Sequence, residues 1–134
     1  MSVTIKQLID QNKKAFVTHF FIESINLSYI LINKAIKQIV KDDLNHEVIE
    51  PRIKTPQLIT RIKKEIDSNP AIKTKLSKKA IKDIELFTEL YKTINKELKY
   101  QYPEKKISET AQLGINCIVI LNTSLLKIKN NPVV

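Results

Sequence analysis

Several residue types that build common functional sites are scarce in this 134-residue sequence. Gly114 is the one glycine, and without a glycine-rich loop the chain carries neither a P-loop nor a Rossmann dinucleotide fingerprint. Cys117 is the one cysteine, so an internal disulfide and a thiolate metal site are both excluded. It lies in an apolar stretch, where we expect a small buried hydrophobe. A chain without disulfides suits a reducing cytoplasm, which is where we expect it.

Basic residues outnumber acidic ones: the sequence has 23 Lys and Arg and 14 Asp and Glu, which gives a net charge of +9. Such a surface favours anionic partners, which are RNA, DNA or an acidic protein. Only Arg52 and Arg61 are arginines, the residue type that grips phosphates with two hydrogen bonds, so an evenly solvated lysine surface is the alternative. Glu23, Asn26 and Lys34 interrupt the longest apolar run, and the first residues lack the apolar core of a signal peptide. We therefore expect no membrane association.

The longest helical pattern runs over residues 15–41, which contain neither Gly nor Pro. Its apolar residues form two adjoining stripes, so more than half of the helix circumference is apolar. Neighbours on several sides must cover such a helix, and we predict that it is the central helix of a bundle. The residues expected to be nearly buried are Phe20, Ile25, Leu31, Ile32, Phe87, Leu90, Ile118 and Leu121.

Caps and breakers divide the rest of the chain into further helices. Thr4 with Gln7 has the form of a capping box and predicts a short helix over 5–14. Further helix starts are predicted at three N-cap candidates, Thr55, Ser77 and Ser108. The fold class that follows is all-α, an up-and-down bundle in a single domain over 1–134, with main helices at 15–41, 56–67, 78–100 and 109–129. In the last of these, Gly114 is expected where another helix crosses closely.

Metal-ligating residues are sparse. His19 and Glu23 are four apart on one helix face, which is the beginning of a site in helical carboxylate bundles. Such sites need several more ligands, and His46, the other histidine, falls in a predicted loop. We therefore expect no metal and no cofactor.

Aromatic and basic residues alternate around the break after the helix at 78–100. Aromatic rings among lysines stack bases and hold phosphates, which predicts a nucleic-acid-binding site. The alternative is that Tyr91 belongs to the core and the other tyrosines pack the loop. The predicted binding residues are Lys96, Lys99, Tyr100, Tyr102, Lys105 and Lys106. A further basic run is explained equally well by a solvated helix face: Lys73, Lys75, Lys78, Lys79 and Lys82.

The order of the helical segments resembles a HEPN (higher eukaryotes and prokaryotes nucleotide-binding) domain of the stand-alone bacterial kind. The segments that carry the resemblance are HFFIESINLSYILINKAIKQIV, TPQLITRIKKEI, IELFTELYKTINKELKYQY and ISETAQLGINCIVILNTSLLKI. The resemblance implies an all-α bundle that dimerises, and we expect a homodimer built on the faces of the central and fourth helices. It also implies metal-independent RNase activity where the family motif is intact. That motif is an Arg, often followed by Asn, with a His four to six residues beyond.

The motif is degenerate in this chain. Ile94 stands at the Arg position, Asn95 matches the Asn, and Lys99 stands at the His position. The resemblance therefore predicts a non-catalytic module that acts through protein or RNA binding, in a bacterial toxin–antitoxin or phage-defence setting. Two alternatives stay open. One is an RNase with a rearranged site, for which the catalytic candidates are Asn95, Lys99 and His19. The other is a structural accessory or antitoxin protein with no nucleic-acid role.

Overall fold

The computed structural model describes residues 3–43, 55–96, 103–128 and 132–133. Within these ranges the chain forms seven helices and two very short strands, in the order β1 Val3–Thr4, α1 Ile5–Val17, α2 Phe21–Asp43, α3 Thr55–Glu65, α4 Pro70–Lys75, α5 Lys78–Lys96, α6 Glu104–Ile120, α7 Asn122–Ile128 and β2 Pro132–Val133. The strands pair antiparallel, with Val3 opposite Val133. The all-α bundle predicted from the sequence is confirmed. None of the described helices is both long enough and apolar enough to cross a membrane.

Local capping explains where several helices begin. The Gln7 amide donates to the Thr4 hydroxyl at 3.1 Å and the Thr4 amide donates to the Gln7 side chain at 2.8 Å, so the predicted capping box is present. The amide of Ala80 donates to the Ser77 hydroxyl at 3.0 Å at the start of α5. The predicted start at Ser108 is wrong, because α6 begins at Glu104 and the Ser108 hydroxyl donates to a carbonyl inside that helix.

Helix α2 is the central helix, as predicted, because it packs against all the other described helices, α1 and α3 to α7. Leu31 and Ile32 are completely buried, and most of the apolar residues of α2 belong to the hydrophobic core, whereas Ile30 is exposed. The predicted central helix does not begin at residue 15, however. The chain reverses direction between Val17 and Phe21, so residues 15–17 end α1. Phe20 lies in this turn with 63% of its surface exposed, and its predicted place in the core is wrong.

The other predicted core residues follow the pattern closely. Leu90 is half-buried, and the remaining six are buried: Ile25, Leu31, Ile32, Phe87, Ile118 and Leu121. The predicted helix over 109–129 is two helices, since α6 ends at Ile120 and α7 begins at Asn122. The Leu121 amide still donates to Cys117 and the Leu125 amide to Leu121, so α7 continues from α6.

Three buried polar side chains join α1 to α2. The Asn12 amide group donates to the Ser28 hydroxyl at 2.8 Å, and the Ser24 hydroxyl donates to the Asn12 carbonyl oxygen at 2.6 Å. All three residues are almost fully buried, so each polar group depends on the others for its hydrogen bonds. This network fixes α1 antiparallel to α2 at one register.

Candidate nucleic-acid interface

Helices α5 and α6 pack against each other in antiparallel orientation. A shared groove shows the register, because it is lined from α5 by Leu86 and Leu90 and from α6 by Lys106, Glu109, Thr110 and Leu113. Lys96 is the last residue of α5, and Lys105 and Lys106 lie in the first turn of α6. The structure thus brings these three predicted binding residues to one end of the α5–α6 hairpin, which we call the basic end. The other three, Lys99, Tyr100 and Tyr102, lie outside the described residues.

The lysines of the basic end are exposed to solvent. In the part of the chain that the structure describes, none of Lys96, Lys105 and Lys106 forms an ion pair. The only acidic residues in the first two turns of α6 are Glu104 and Glu109, both exposed. The first turn of α6 also has no side-chain cap, so its amide groups add partial positive charge there. The three lysines outnumber the two glutamates, so the described residues at this end of the hairpin carry a net positive charge.

Two other lysines of α5 are paired with acids, whereas Lys82 and Lys92 of the same helix form no ion pair among the described residues. Lys78 lies 3.4 Å from Asp67, Lys79 lies 3.6 Å from Asp83, and on α3 Lys63 lies 3.2 Å from Glu85. Two members of the basic run around the start of α5 are thus paired with acids. The pairs are exposed and contribute little to stability, but they reduce the local positive charge.

Of the three motif positions named from the sequence, the structure describes Ile94 and Asn95, and Lys99 lies outside the described residues. Ile94 is buried in the core, so its side chain does not face a ligand. Asn95 is exposed, but its amide group donates to the Tyr91 carbonyl at 2.8 Å in the same helix. The second amide hydrogen and the carbonyl oxygen of Asn95 can still bond to a ligand, but an amide group does not serve as a general acid or base near neutral pH.

Tyr91 is a packing residue. Its ring stacks on that of Tyr29 from α2, with ring centroids 3.8 Å apart and planes 3° from parallel. Burial, and secondarily the neighbouring Tyr29, raise the pKa of Tyr91 above its ordinary value. Since Tyr29 covers one ring face and the residue is half-buried, Tyr91 is not a free stacking surface for a base.

His19 and Glu23 do not share a helix face as predicted, because α2 begins at Phe21 and only Glu23 lies in it. His19 is exposed in the turn between α1 and α2, where its ring stacks on Phe21. The Glu23 carboxylate accepts a hydrogen bond from the Gln11 side chain at 3.3 Å. Within the described ranges no group of three or more His, Cys, Asp or Glu residues is placed to hold a metal ion, and His46 lies outside those ranges.

Cys117 is not a reactive thiol. It is completely buried in the core, and burial together with the nearby Asp83 carboxylate raises its pKa to about 12. The thiolate, which is the nucleophilic form, is therefore negligible near neutral pH.

No protein-family model, curated protein or solved structure matches the chain. The resemblance to HEPN domains therefore stays a prediction, and the function has to be argued from the geometry of the molecule itself.

One functional candidate was missed from the sequence. The turn between α1 and α2 exposes Val17 and Phe20 beside the His19 ring, and the sequence pattern had placed this segment inside a continuous helix. A helix end is normally marked by Gly or Asn just after its last residue. Because His19 occupies that position here, the usual signal is missing.

Proposed function

We propose that the protein is a non-catalytic helical module that binds single-stranded RNA through the basic end of the α5–α6 hairpin. The observation that carries the proposal is that Lys96, Lys105 and Lys106 meet there without an ion-pair partner among the described residues, whereas Lys78 and Lys79 on the same hairpin are paired. Phosphates along a flexible strand are the ligand that such a cluster attracts. By sequence, Lys99, Tyr100 and Tyr102 complete the site. The HEPN-like helix order supports a bacterial toxin–antitoxin or phage-defence setting.

The absence of catalysis is part of the proposal. RNA cleavage needs a base for the 2′-hydroxyl proton and an acid for the leaving oxygen, each with a pKa near the working pH. Ile94 is buried and the Asn95 amide group is held by its own helix, which supports a binding role for this end. A lysine at position 99 supplies positive charge and is protonated near pH 7 unless buried, so it is a poor base.

The test is the salt dependence of binding to a fluorescently labelled oligouridylate in the presence of chelator. We expect the double variant Lys105→Ala with Lys106→Ala to weaken binding and to make the slope of log K against log salt shallower by about 1.4, because two phosphate contacts are lost. The matched control is Lys78→Ala with Lys79→Ala, which removes the same charge from lysines already paired with acids. Equal losses in both double variants would mean that net charge, and not the basic end, determines binding.

The same samples test the two alternatives. Cleavage of the oligonucleotide by the wild type that disappears in Asn95→Ala and Lys99→Ala would establish an RNase with a rearranged site. The absence of binding even at low salt would overturn the proposal and favour a structural accessory or antitoxin protein.

We further propose that the protein is a homodimer built on the segment of the predicted fourth helix, now α6 and α7, and not on the central helix. The central helix is covered by its own neighbours. On α6 and α7, in contrast, residues 110–126 contain no Asp, Glu, Lys or Arg. This stretch exposes Val119 and Leu126 at 66% and 49%, next to the amides of Gln112 and Asn116, which hydrogen-bond to each other. We call these four residues the uncharged face.

Two copies that each carry a net charge of +9 repel one another, so a face without charge is where they approach most easily. The cores of interfaces are depleted of charged residues, and a two-fold axis pairs a face with itself. Light scattering should therefore give a dimer that Val119→Lys dissociates, while Leu86→Lys, which changes an exposed leucine on α5, leaves it intact. A wild-type monomer at high concentration would overturn this part of the proposal and leave RNA binding untouched.

A further inference from the structure

The turn between α1 and α2 has a specific backbone geometry. The His19 amide donates to the Phe16 carbonyl at 3.1 Å and the Phe20 amide donates to the Ala15 carbonyl at 2.8 Å, which together form a Schellman motif. His19 occupies the left-handed position of this motif, with φ at 65°. It is the one non-glycine residue with positive φ among the described residues. This position is usually glycine, because other residues disfavour a positive φ. His19 therefore adopts a backbone conformation that is unfavourable for a residue with a side chain.

The rings around the turn form an ordered series. Phe16 and Phe21 are half-buried against the core and meet edge to face, with centroids 5.6 Å apart. The His19 ring stacks on Phe21 with centroids 5.2 Å apart and planes 21° from parallel. The His19 ring is exposed, and Phe20 beside it exposes 63% of its surface. The turn therefore exposes two rings, those of His19 and Phe20. The stack on Phe21, which packs against Phe16 and the core, holds the His19 ring in place.

Two lysines precede the turn on α1. Lys13 and Lys14 lie in the last turns of α1, are exposed, and form no ion pair within the described ranges. The nearest acids along the chain are Asp10, one turn earlier, and Glu23, whose carboxylate accepts the Gln11 hydrogen bond. Rings that stack bases, together with lysines that reach phosphates, are the two elements of a single-stranded nucleic-acid site.

We infer that the α1–α2 turn is a base-stacking site for single-stranded RNA, with His19 and Phe20 as the stacking rings and Lys13 and Lys14 as phosphate contacts. The inference rests on the proposed function for the identity of the ligand. It adds to that function a base-stacking site that is separate in sequence from the basic end and is built from described residues.

The test compares an oligouridylate with an abasic ribose-phosphate strand of the same length. We expect Phe20→Ala and His19→Gly each to weaken oligouridylate binding about five-fold or more, which is the low end of the effect of one stacked base. Both variants should bind the abasic strand as the wild type does, because that strand offers phosphates and no bases. Val17→Ala, an exposed apolar residue of the same turn, is the matched control and should bind both strands normally.

Circular dichroism of each variant checks that the fold is intact, and His19→Ala serves as a second variant if His19→Gly changes the turn. Wild-type affinity for the oligouridylate in Phe20→Ala and His19→Gly, with a loss in Lys105→Ala and Lys106→Ala, would overturn the stacking site and leave the proposed function standing. Equal losses on both strands would show that the turn does not contact bases. A wild type that binds neither strand would overturn both proposals.

Discussion

Gly114 of α6 lies directly against Ser28 of α2: a Cβ atom added at Gly114 would be 2.8 Å from the serine hydroxyl oxygen. It would also be 2.7 Å from the edge of the Phe87 ring on α5. Three helices therefore meet at the one residue of the chain that has no side chain. The close crossing expected from the lone glycine is confirmed, and Ser28 connects it to the buried Asn12 network.

Gly114→Ala should destabilise the protein. Alanine is favoured over glycine in a helix interior by about 1 kcal/mol, but overpacking a core costs about 1–3 kcal/mol, and the ring and hydroxyl leave no space for a methyl group. The measurement is urea denaturation, with Glu109→Ala on the exposed side of α6 as the control. A more stable Gly114→Ala variant would mean that the three helices do not pack this closely.

Removing the centre of the buried polar network should also be costly. Asn12→Ala leaves the hydroxyls of Ser24 and Ser28 without their partner in a buried site, and we expect a loss of about 1–3 kcal/mol. Gln11→Ala is the control in the same helix, because Gln11 makes one exposed hydrogen bond to Glu23 and should change stability by less than about 0.5 kcal/mol. Similar losses in the two variants would contradict the buried role of Asn12.

Leu31 and Phe20 should respond in opposite ways to truncation. Leu31 is 0% exposed at the centre of the core, so Leu31→Ala should cost about 2–5 kcal/mol. Phe20 lies in an exposed turn, and Phe20→Ala should change stability by less than about 0.5 kcal/mol. Thermal or urea unfolding distinguishes the two. A loss of stability above about 2 kcal/mol in Phe20→Ala would mean that Phe20 is a core residue, as the sequence pattern predicts.

Leu31, whose burial was predicted correctly, and Phe20, whose burial was not, show which features of this fold the sequence predicts. Residues close together in the sequence determine hydrophobic periodicity and local hydrogen bonds. These two signals predicted the central helix, the caps at Thr4 and Ser77 and the buried face of α5. The end of α1 cannot be predicted from the local sequence, because His19 takes the place of the usual glycine. The antiparallel packing of α1 on α2 determines where the chain turns.

For the candidate site, the positions of the lysines could be predicted from the sequence, but their ion pairs could not. The sequence shows where the lysines are, and it predicted Lys96, Lys105 and Lys106 as a group. It does not show which lysines are neutralised, because Lys78 of α5 pairs with Asp67 in the turn after α3, and Lys63 of α3 pairs with Glu85 of α5. The orientation of the Asn95 amide toward its own backbone was likewise visible only in the folded chain.

Cys117 should be unreactive until the protein unfolds. Its pKa is raised from 9.0 to about 12, so at pH 8 the native thiol stays protonated while the unfolded thiol is partly ionised. A thiol reagent at pH 8 should therefore modify native protein far more slowly than protein in urea. Because the folded-state pKa is the higher one, this group's contribution to stability is complete below pH 9 and is lost as the pH rises toward 12. Rapid native modification would contradict the buried position.

His19→Gly should leave the protein as stable as the wild type or more stable. A left-handed conformation costs an L-residue about 1–2 kcal/mol, and glycine avoids this cost but loses more chain entropy on folding, about 0.5–1 kcal/mol. The variant also loses the stack on Phe21, so the net change in the free energy of unfolding should stay within about 1 kcal/mol. His19→Ala is the informative control, because it keeps the strained conformation and removes the same ring, and it should be the less stable of the two. If urea denaturation shows His19→Gly to be the less stable variant, glycine is not favoured at this turn. If His19→Gly is as stable as the wild type, the imidazole is not needed for folding, and a loss of RNA binding in that variant is a direct effect on the ligand.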